Sequence, residues 1–518
     1  MSTVPLVPES SPNPLPLVAH GRSRAFWAGA LVTLLGAATR FWDLSRLSLW
    51  GDEVVTWRRA GLPIAELVED AIRRLHSPAY FLLMKPWLAL GDDEWMLRAP
   101  SAFFGTLKVL CCFALGWTAG GLRTAVAAAV LVSLVPVQLH YDQEARMYAL
   151  QGLGIALSLC GLTWLAVHPT ASALRLWPSA VQAHVADDLA MRRAARRAFV
   201  VFVVGMVFAI HTHNGTIFYM ATAGVAAVLV SMASGSPWRA LGNVALAFGL
   251  VAATLVPRLA PLWGQAVQVH RRFWATFPTW HEFTDVTQDL YSFGVFGRNH
   301  DWRLLPIVLL LAALIVLRRQ PLRLAYLLVM TALPPALVLL VSLERPMFLL
   351  RMLAWVAIPA CLLMAHALAS LRGRASFGLA LSCVIGVGLW QLRSGYFSTR
   401  SKPQWREAIA TVADAYSPGT LVILAGKQEE KVLSYYFERH TNPLPRWPAF
   451  RVADDASFAR LPKFGAPLRA VVVLYHRKGE FTDRVIDAVR ARMRQRFNRH
   501  FGHSLHVRAF EPRARTRR

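Results

Sequence analysis

Charge is what this sequence has least of. Only 17% of its 518 residues are Asp, Glu, Lys or Arg, against about 25% in a soluble domain. Acids are the scarcer sign: 30 Asp+Glu stand against 56 Lys+Arg, a net charge of +26. Five cysteines in a chain of this length rule out a disulfide scaffold. Disorder is excluded because 55% of the residues are hydrophobic. A nucleic-acid-binding role accounts for the sign of the charge but not for the apolar excess, so no nucleic-acid partner is expected.

The apolar excess is organised. A helix needs about 20 apolar residues to cross a bilayer core, and such runs recur near 25–42, 98–118, 122–139, 147–168, 199–213, 216–233, 239–257, 303–317, 324–343, 349–370 and 375–391. The stretch 79–90 (AYFLLMKPWLAL) is too short and carries Lys85-Pro86, which suits an interfacial helix. The pattern predicts an α-helical polytopic membrane protein of about 11 transmembrane helices. With the N-terminus in the cytoplasm, cytoplasmic segments hold 14 cations, including Arg123, Arg192, Arg193, Arg318 and Arg319, against only Glu9, Asp187 and Asp188. The other 16 of the 19 carboxylates before residue 391 fall outside, a strong positive-inside bias. Counting 79–90 as a span would reverse it from Arg123 onward.

The first run follows 24 residues that include five prolines and no A-x-A cleavage site, so it reads as an uncleaved anchor rather than a signal peptide. Residues 1–24 read as a disordered cytoplasmic tail and 25–391 as the transmembrane domain, with outer loops at 43–97, 140–146 and 258–302. Residues 392–518 read as a small extracytoplasmic α/β domain with a basic tail. In it, 405–416 and 430–439 are expected as helices, 420–425, 469–475 and 504–510 as strands, and 480–497 as a basic helix. This part holds 25 basic and 11 acidic residues. Its charge suits anionic headgroups or an anionic acceptor, and equally an arginine-rich solvated surface. Cys111, Cys112, Cys160, Cys361 and Cys383 all lie in apolar spans and read as core.

The chemistry-bearing residues gather in two outer loops. The first contains SLWGDEVVTW, where Asp52 and Glu53 sit between Trp50 and Trp57. An aromatic frame that excludes water raises the basicity of a carboxylate, as general-base work requires. The same loop holds His76, Asp92, Asp93 and Glu94, and Arg98 follows at the start of the next span. The second loop, YDQEARMYAL, packs Tyr141, Asp142, Glu144, Arg146 and Tyr148 together, and Arg351 stands at the outer end of a late span. Arg98 and Arg351 also suit snorkelling to headgroups. His211 and His213 have metal-like spacing but read better as a polar span end. Lys108, ten residues into a span, either snorkels or marks function. The loop acids admit a divalent cation, but no ligand spacing demands one, and no other cofactor is implied.

SLWGDEVVTW, HSPAYFLLMKPW, EWMLRAPSAFFG and YDQEARMYAL together resemble the GT-C integral-membrane glycosyltransferases, nearest to the bacterial protein-mannosyltransferase and aminoarabinose-transferase superfamily. The resemblance is best over 25–170, looser to 391 and weak beyond. It implies transfer of one sugar from a polyprenyl-phosphate donor to a lipid, glycan or protein acceptor at the outer face of the bacterial cytoplasmic membrane, with inversion. Asp52 matches the family's base, with Glu53 beside it and Asp142 and Glu144 shaping the site. Arg98, Arg146 and Arg351 are the implied holders of the donor phosphate. Trp50, His76, Tyr141 and Tyr148 are placed on the acceptor side, although the family often has His-Pro-Pro where this chain has His76-Ser77-Pro78. The competing readings are a transporter or flippase of lipid-linked sugars and a catalytically inert membrane anchor.

Overall fold

The computed structural model describes residues 16–174, 186–272, 275–294 and 303–425. It also describes most of 449–513, together with Val432, Ser434, Tyr435, Tyr436 and Arg439. The first fifteen residues of the expected tail, the basic tail from 514 and most of the expected helix at 430–439 lie outside the described residues.

Helix α1 (Pro16–Phe41) begins before the expected 25. The expected first outer loop then folds into three short helices, α2 (Gly51–Gly61), α3 (Ile64–Arg73) and α4 (Ala79–Trp87). Helix α4 buries Tyr80, Phe81 and Met84, and Lys85 donates to the Leu62 carbonyl at 2.6 Å. Asp93 accepts from the Met96 N–H at the start of α5 (Glu94–Leu134). This 41-residue element is not a rod but a hairpin. Gly121 sits at φ +80, where a side chain would be strained, and a Cβ on Gly116 would lie 2.7 Å from the Ala125 Cα.

Beyond it run α6 (Pro136–Asp142), α7 (Tyr148–Val167), α8 (Ala186–Thr212), α9 (Thr216–Met232), α10 (Pro237–Leu255), α11 (Leu259–Arg272) and α12 (Trp280–Tyr291). The helical part ends with α13 (Leu304–Leu317), α14 (Pro321–Glu344), α15 (Leu350–Ala369) and α16 (Arg374–Gln391).

Among the described residues, seven helices are long and apolar enough to cross a membrane, judged by length and composition. The sequence count of eleven differs for three reasons. The α5 hairpin carries two runs, α9 and α13 are shorter apolar helices, and α1 has Arg24 and Arg40 at the ends of its run. The outward faces are apolar, as a lipid surround requires: Val308, Leu311 and Ile315 on α13 are each more than half exposed. The chain is an integral membrane protein.

Small residues let α7 and α8 approach backbone to backbone. A Cβ on Gly161 would overlap the Ala198 carbonyl, one on Gly205 would overlap the Ser158 N–H, and one on Gly154 would lie 2.8 Å from the Ala209 nitrogen. Lipid offers no hydrophobic drive for helix pairing, so this close packing supplies it.

The C-terminal domain is a five-stranded sheet in the order β2-β1-β3-β5-β4. Helix α17 (Trp405–Ala415) leads into β1 (Thr420–Ala425), β2 (Ala449–Val452), helix α18 (Asp455–Ala459) and β3 (Ala470–His476). Helix α19 (Glu480–Arg490), β4 (Met493–His500) and β5 (Leu505–Pro512) complete it. Strands β2, β1 and β3 are parallel, while β5 and β4 join antiparallel. The expected basic helix at 480–497 is corrected: it stops at Arg490, and MRQRFNRH becomes an edge strand whose exposed arginines are tolerated because only one edge pairs. Side-chain alternation gives the sheet two apolar faces. Leu421, Ile423, Val471 and Val473 pack with Val485 and Val489 of α19. Val422, Leu424, Val472 and Val507 join α17 and the core of the membrane domain.

Gly161→Ala and Gly205→Ala are each expected to destabilise the fold by about 1–3 kcal/mol through overpacking. A lowered melting temperature of the detergent-solubilised protein, relative to Gly249→Ala, where a Cβ meets open space, is the measurement.

Candidate active site

The site begins at the N-terminus of α2. Glu53 reaches back to accept the Trp50 N–H at 3.3 Å, closing the first turn, and both acids there suit the positive end of the helix. Neighbouring positions on a helix point about 100° apart, so adjacent carboxylates cannot share one environment. Glu53 turns inward and is fully buried, whereas the Asp52 side chain is 39% exposed.

Glu53 is a junction for four segments of chain. Arg98 meets it with two parallel bonds, Nε to Oε1 and Nη2 to Oε2, both 2.8 Å. The Ala145 N–H donates at 3.0 Å, and Lys402 donates to Oε2 at 3.0 Å. Burial would push the Glu53 carboxyl up, but Arg98 and Lys402 together hold it far below the usual range. The resemblance implies that Arg98 holds the donor phosphate; in the structure it is bonded within the protein. Its remaining N–H groups go to the carbonyls of Leu44, Leu47 and Ser48, so all five donors are committed to the protein.

A second junction lies below. Asp142 is fully buried, accepting from Arg40 at 2.8 Å and from Lys108 at 2.6 Å. Lys108 is therefore neither a snorkelling cation nor a free one. Gly105 makes the room, since a Cβ there would overlap the Asp142 carboxyl carbon. The neighbouring Gln143 amide donates to the Arg40 and Trp42 carbonyls at 3.0 and 2.9 Å, closing the end of α1.

Asp52 faces a different wall. Arg351 Nη1 lies 3.9 Å from its carboxylate, and Arg146 donates to its backbone carbonyl at 3.2 Å. Arg146 also donates to His76 Nε2 at 3.0 Å, so that nitrogen carries no proton. Tyr141, Tyr148 and His213 continue the wall with ring centroids 5.0 and 5.6 Å apart. Glu144 sits between the two junctions, 3.4 Å from His140 and 3.3 Å from Lys402. Trp50 lies beside Lys402, its ring centroid 6.0 Å from the ammonium.

Three side chains missed in the sequence belong here: Arg40, Lys402 and Arg59. Arg59 is 1% exposed, bonds Asp70 at 2.9 Å and stacks on Phe81. Its two Nη atoms, like Arg146 Nε, are buried without a partner among the described residues. Arg40 and Lys402 did not stand out by spacing, because their partners lie 102 and 349 residues away; Arg59 meets Asp70 eleven residues on, without helical or motif spacing. His211 does not join His213 in a ligand set: it faces Thr254 and Arg258 instead. No three His, Cys, Asp or Glu side chains converge as metal ligands among the described residues. Glu53 and Asp142 already carry cations on both oxygens. Those two carboxylates have no oxygen left for a divalent cation.

Neither a protein-family model nor a curated protein matches the sequence. Solved structures do. ArnT from Cupriavidus metallidurans in the apo state is 14% identical, with 95% of this chain and 98% of that chain covered and a TM-score of 0.56. The same protein bound to undecaprenyl phosphate is 15% identical, with 94% and 98% covered and a TM-score of 0.50. At this identity the likeness is one of fold, and the GT-C-like architecture expected from the outer-loop motifs is the architecture of this chain.

Removing Arg98 takes the two-bond partner from the buried Glu53 and leaves Lys402 as its one counter-charge. Arg98→Met is expected to cost about 3–5 kcal/mol, seen as a large drop in melting temperature, and Gly105→Ala is expected to do likewise by evicting Asp142. A pH effect should accompany these. Burial, with Arg146 and Arg59 adding to it, pushes His76 down from 6.5 to about 2. Burial pushes His140 down to about 4, partly opposed by Glu144. Both are neutral in the fold, so the unfolded chain gains protons first. Their stabilisation is present above pH 6.5 and is lost as pH falls below it. The melting temperature should therefore be flat near pH 7–8 and decline from about 6.5, less steeply in His76→Gln.

Proposed function

We propose that this protein is a glycosyltransferase of the bacterial cytoplasmic membrane, moving a sugar from a polyprenyl-phosphate donor to an acceptor at the outer face. The N-terminus is cytoplasmic and the C-terminal domain outside, as the arginine distribution favours. One observation carries the reading. Of the four acids that the resemblance puts at the site, Glu53 and Asp142 are buried in ion pairs, Glu144 is 3% exposed beside Lys402, and Asp52 is the one substantially open, opposite an arginine. That is the arrangement a base and a departing phosphate need.

In the proposed step the acceptor's hydroxyl oxygen attacks the anomeric carbon as its bond to phosphate oxygen breaks. Asp52 takes the hydroxyl proton, and the electron pair leaves on polyprenyl phosphate. Single displacement inverts the anomeric centre. Arg351 and Arg146 neutralise the departing phosphate, since guanidinium matches phosphate geometry. The Arg59 and Arg146 donors near His76 that have no partner among the described residues are where an anion would find bonds. His76, neutral, accepts from Arg146 and keeps it aimed. Glu53 and Asp142 act by holding the loops that carry Asp52 and Arg146. The acceptor class remains cell-envelope glycan, lipid A or protein hydroxyl. A transporter needs ionisable residues near mid-membrane, and Lys108, the one clear mid-span charge in the sequence reading, is neutralised internally by Asp142.

Asp52→Asn should lower transfer at least about 100-fold, the usual scale for a lost general base, at unchanged protein abundance. Arg351→Gln should chiefly weaken use of the lipid donor. Covalent labelling of a membrane acceptor from a radiolabelled polyprenyl-phosphate sugar is the measurement. Retained transfer in Asp52→Asn would remove the assignment of the base.

A further inference from the structure

The membrane domain does not complete its own charge balance. Glu53 and Glu144 converge on one ammonium that neither outer loop supplies. It belongs to Lys402, in the segment that leads into the C-terminal domain, with Nζ 3.0 Å from Glu53 Oε2 and 3.3 Å from Glu144 Oε1. The side chain is 7% exposed, so water does little to screen it.

Everything around Lys402 holds it there. Arg46 of the first outer loop donates to the Phe397 carbonyl at 2.5 Å and the Thr399 carbonyl at 3.1 Å, on the approach to Lys402. Beyond it, the Gln404 N–H donates to the Phe501 carbonyl, locking the segment to the β4–β5 turn. The Ser48 hydroxyl donates to Glu407 at 3.2 Å. Tyr436 accepts the Leu49 N–H at 2.5 Å and donates to Glu94 at 3.0 Å, and Tyr435 donates to the Asp92 carbonyl. The C-terminal domain is thus seated on the loop that carries Asp52, with Lys402 as the point that enters the site.

We propose that Lys402 is a positioning residue of the active centre, through which the C-terminal domain holds the second outer loop against the first by neutralising Glu53 and Glu144 together. Glu53 keeps Arg98 without it. Glu144 does not fare as well: its other ionic neighbour is His140, which burial keeps neutral. Removing the ammonium leaves two buried carboxylates facing one another, and like charges at close range disfavour double ionisation. The loop carrying Glu144 and Arg146 is then pushed away from Asp52. The chemistry fails by misplacement, with no group lost that touches the reacting atoms. This rests on the transferase reading above for its kinetic arm only.

The test uses the full-length protein in lipid nanodiscs. Lys402→Met should lower kcat at least tenfold with a polyprenyl-phosphate sugar donor while donor KM stays within about twofold. Lys402→Met combined with Glu144→Gln should recover most of the rate, because a neutral amide needs no counter-charge, and Lys402→Arg should be near normal. A wild-type rate in Lys402→Met, or a double variant no faster than the single one, would overturn the proposal. The second arm needs no activity: tryptic cleavage after Arg400 should quicken in Lys402→Met and slow again in the double variant. If wild-type protein transfers no sugar, the transferase reading falls, and this arm alone decides Lys402, with equal cleavage in all three chains counting against it.

Discussion

The two-bond ion pair between Arg98 and Glu53 is what the loop-bearing end of the membrane domain is arranged around. Arg98 stands in the first turns of α5 and reaches up to the carbonyls of residues 44, 47 and 48, fixing the approach to α2. Glu53 reaches down to it and sideways to Ala145 and Lys402. Two outer loops, a membrane helix and the C-terminal segment therefore meet on one carboxylate. Such a group is costly to bury and is tolerated only when every lone pair is used. That condition makes the geometry rigid, and rigidity is what a neighbouring carboxylate needs in order to be placed reproducibly.

Adjacent acids with different fates are the chemical core of the arrangement. A helix separates Asp52 and Glu53 by angle, not by distance, so one serves structure and the other is left to solvent and substrate. The scarcity of acids in the sequence has its counterpart here. Glu53, Asp142 and Glu144 are all buried against cations, so Asp52 is set apart from them by its surroundings and not by its residue type.

Much of this was legible in the sequence. The apolar runs mark the helices, the interfacial stretch at 79–90 folds as α4, and the DE and QEARMYAL motifs do meet in space. The strands at 420–425 and 469–475 follow their apolar character. Other features depended on partners that sequence spacing cannot supply. Arg98 looked free because the three carbonyls it binds carry no signature. Arg40 and Lys108 looked like span-end and mid-span charges until Asp142 came between them. Lys402 was one cation among 25 in a basic segment. Residues 493–497 read as helix because nothing local reveals that β5, eight residues on, offers them an edge.

The pairing of Arg40 with Asp142 has a consequence for how the chain is made. Arg40 and the last carbonyls of α1 find their partners 102 and about 100 residues later. At a synthesis rate of about 5–20 residues per second, the first helix waits on the order of 5–20 s before the loop that satisfies it exists. During that interval Arg40 has only its neighbours Gly36 and Thr39 on α1, and its other donors and several open carbonyls are left to water or lipid headgroups. The first helix therefore has to be held near the interface, or sheltered by the insertion machinery, until the α5 hairpin and the Asp142 loop arrive to draw it in. Assembly of the helical part is in this sense retroactive, each early segment completed by a later one.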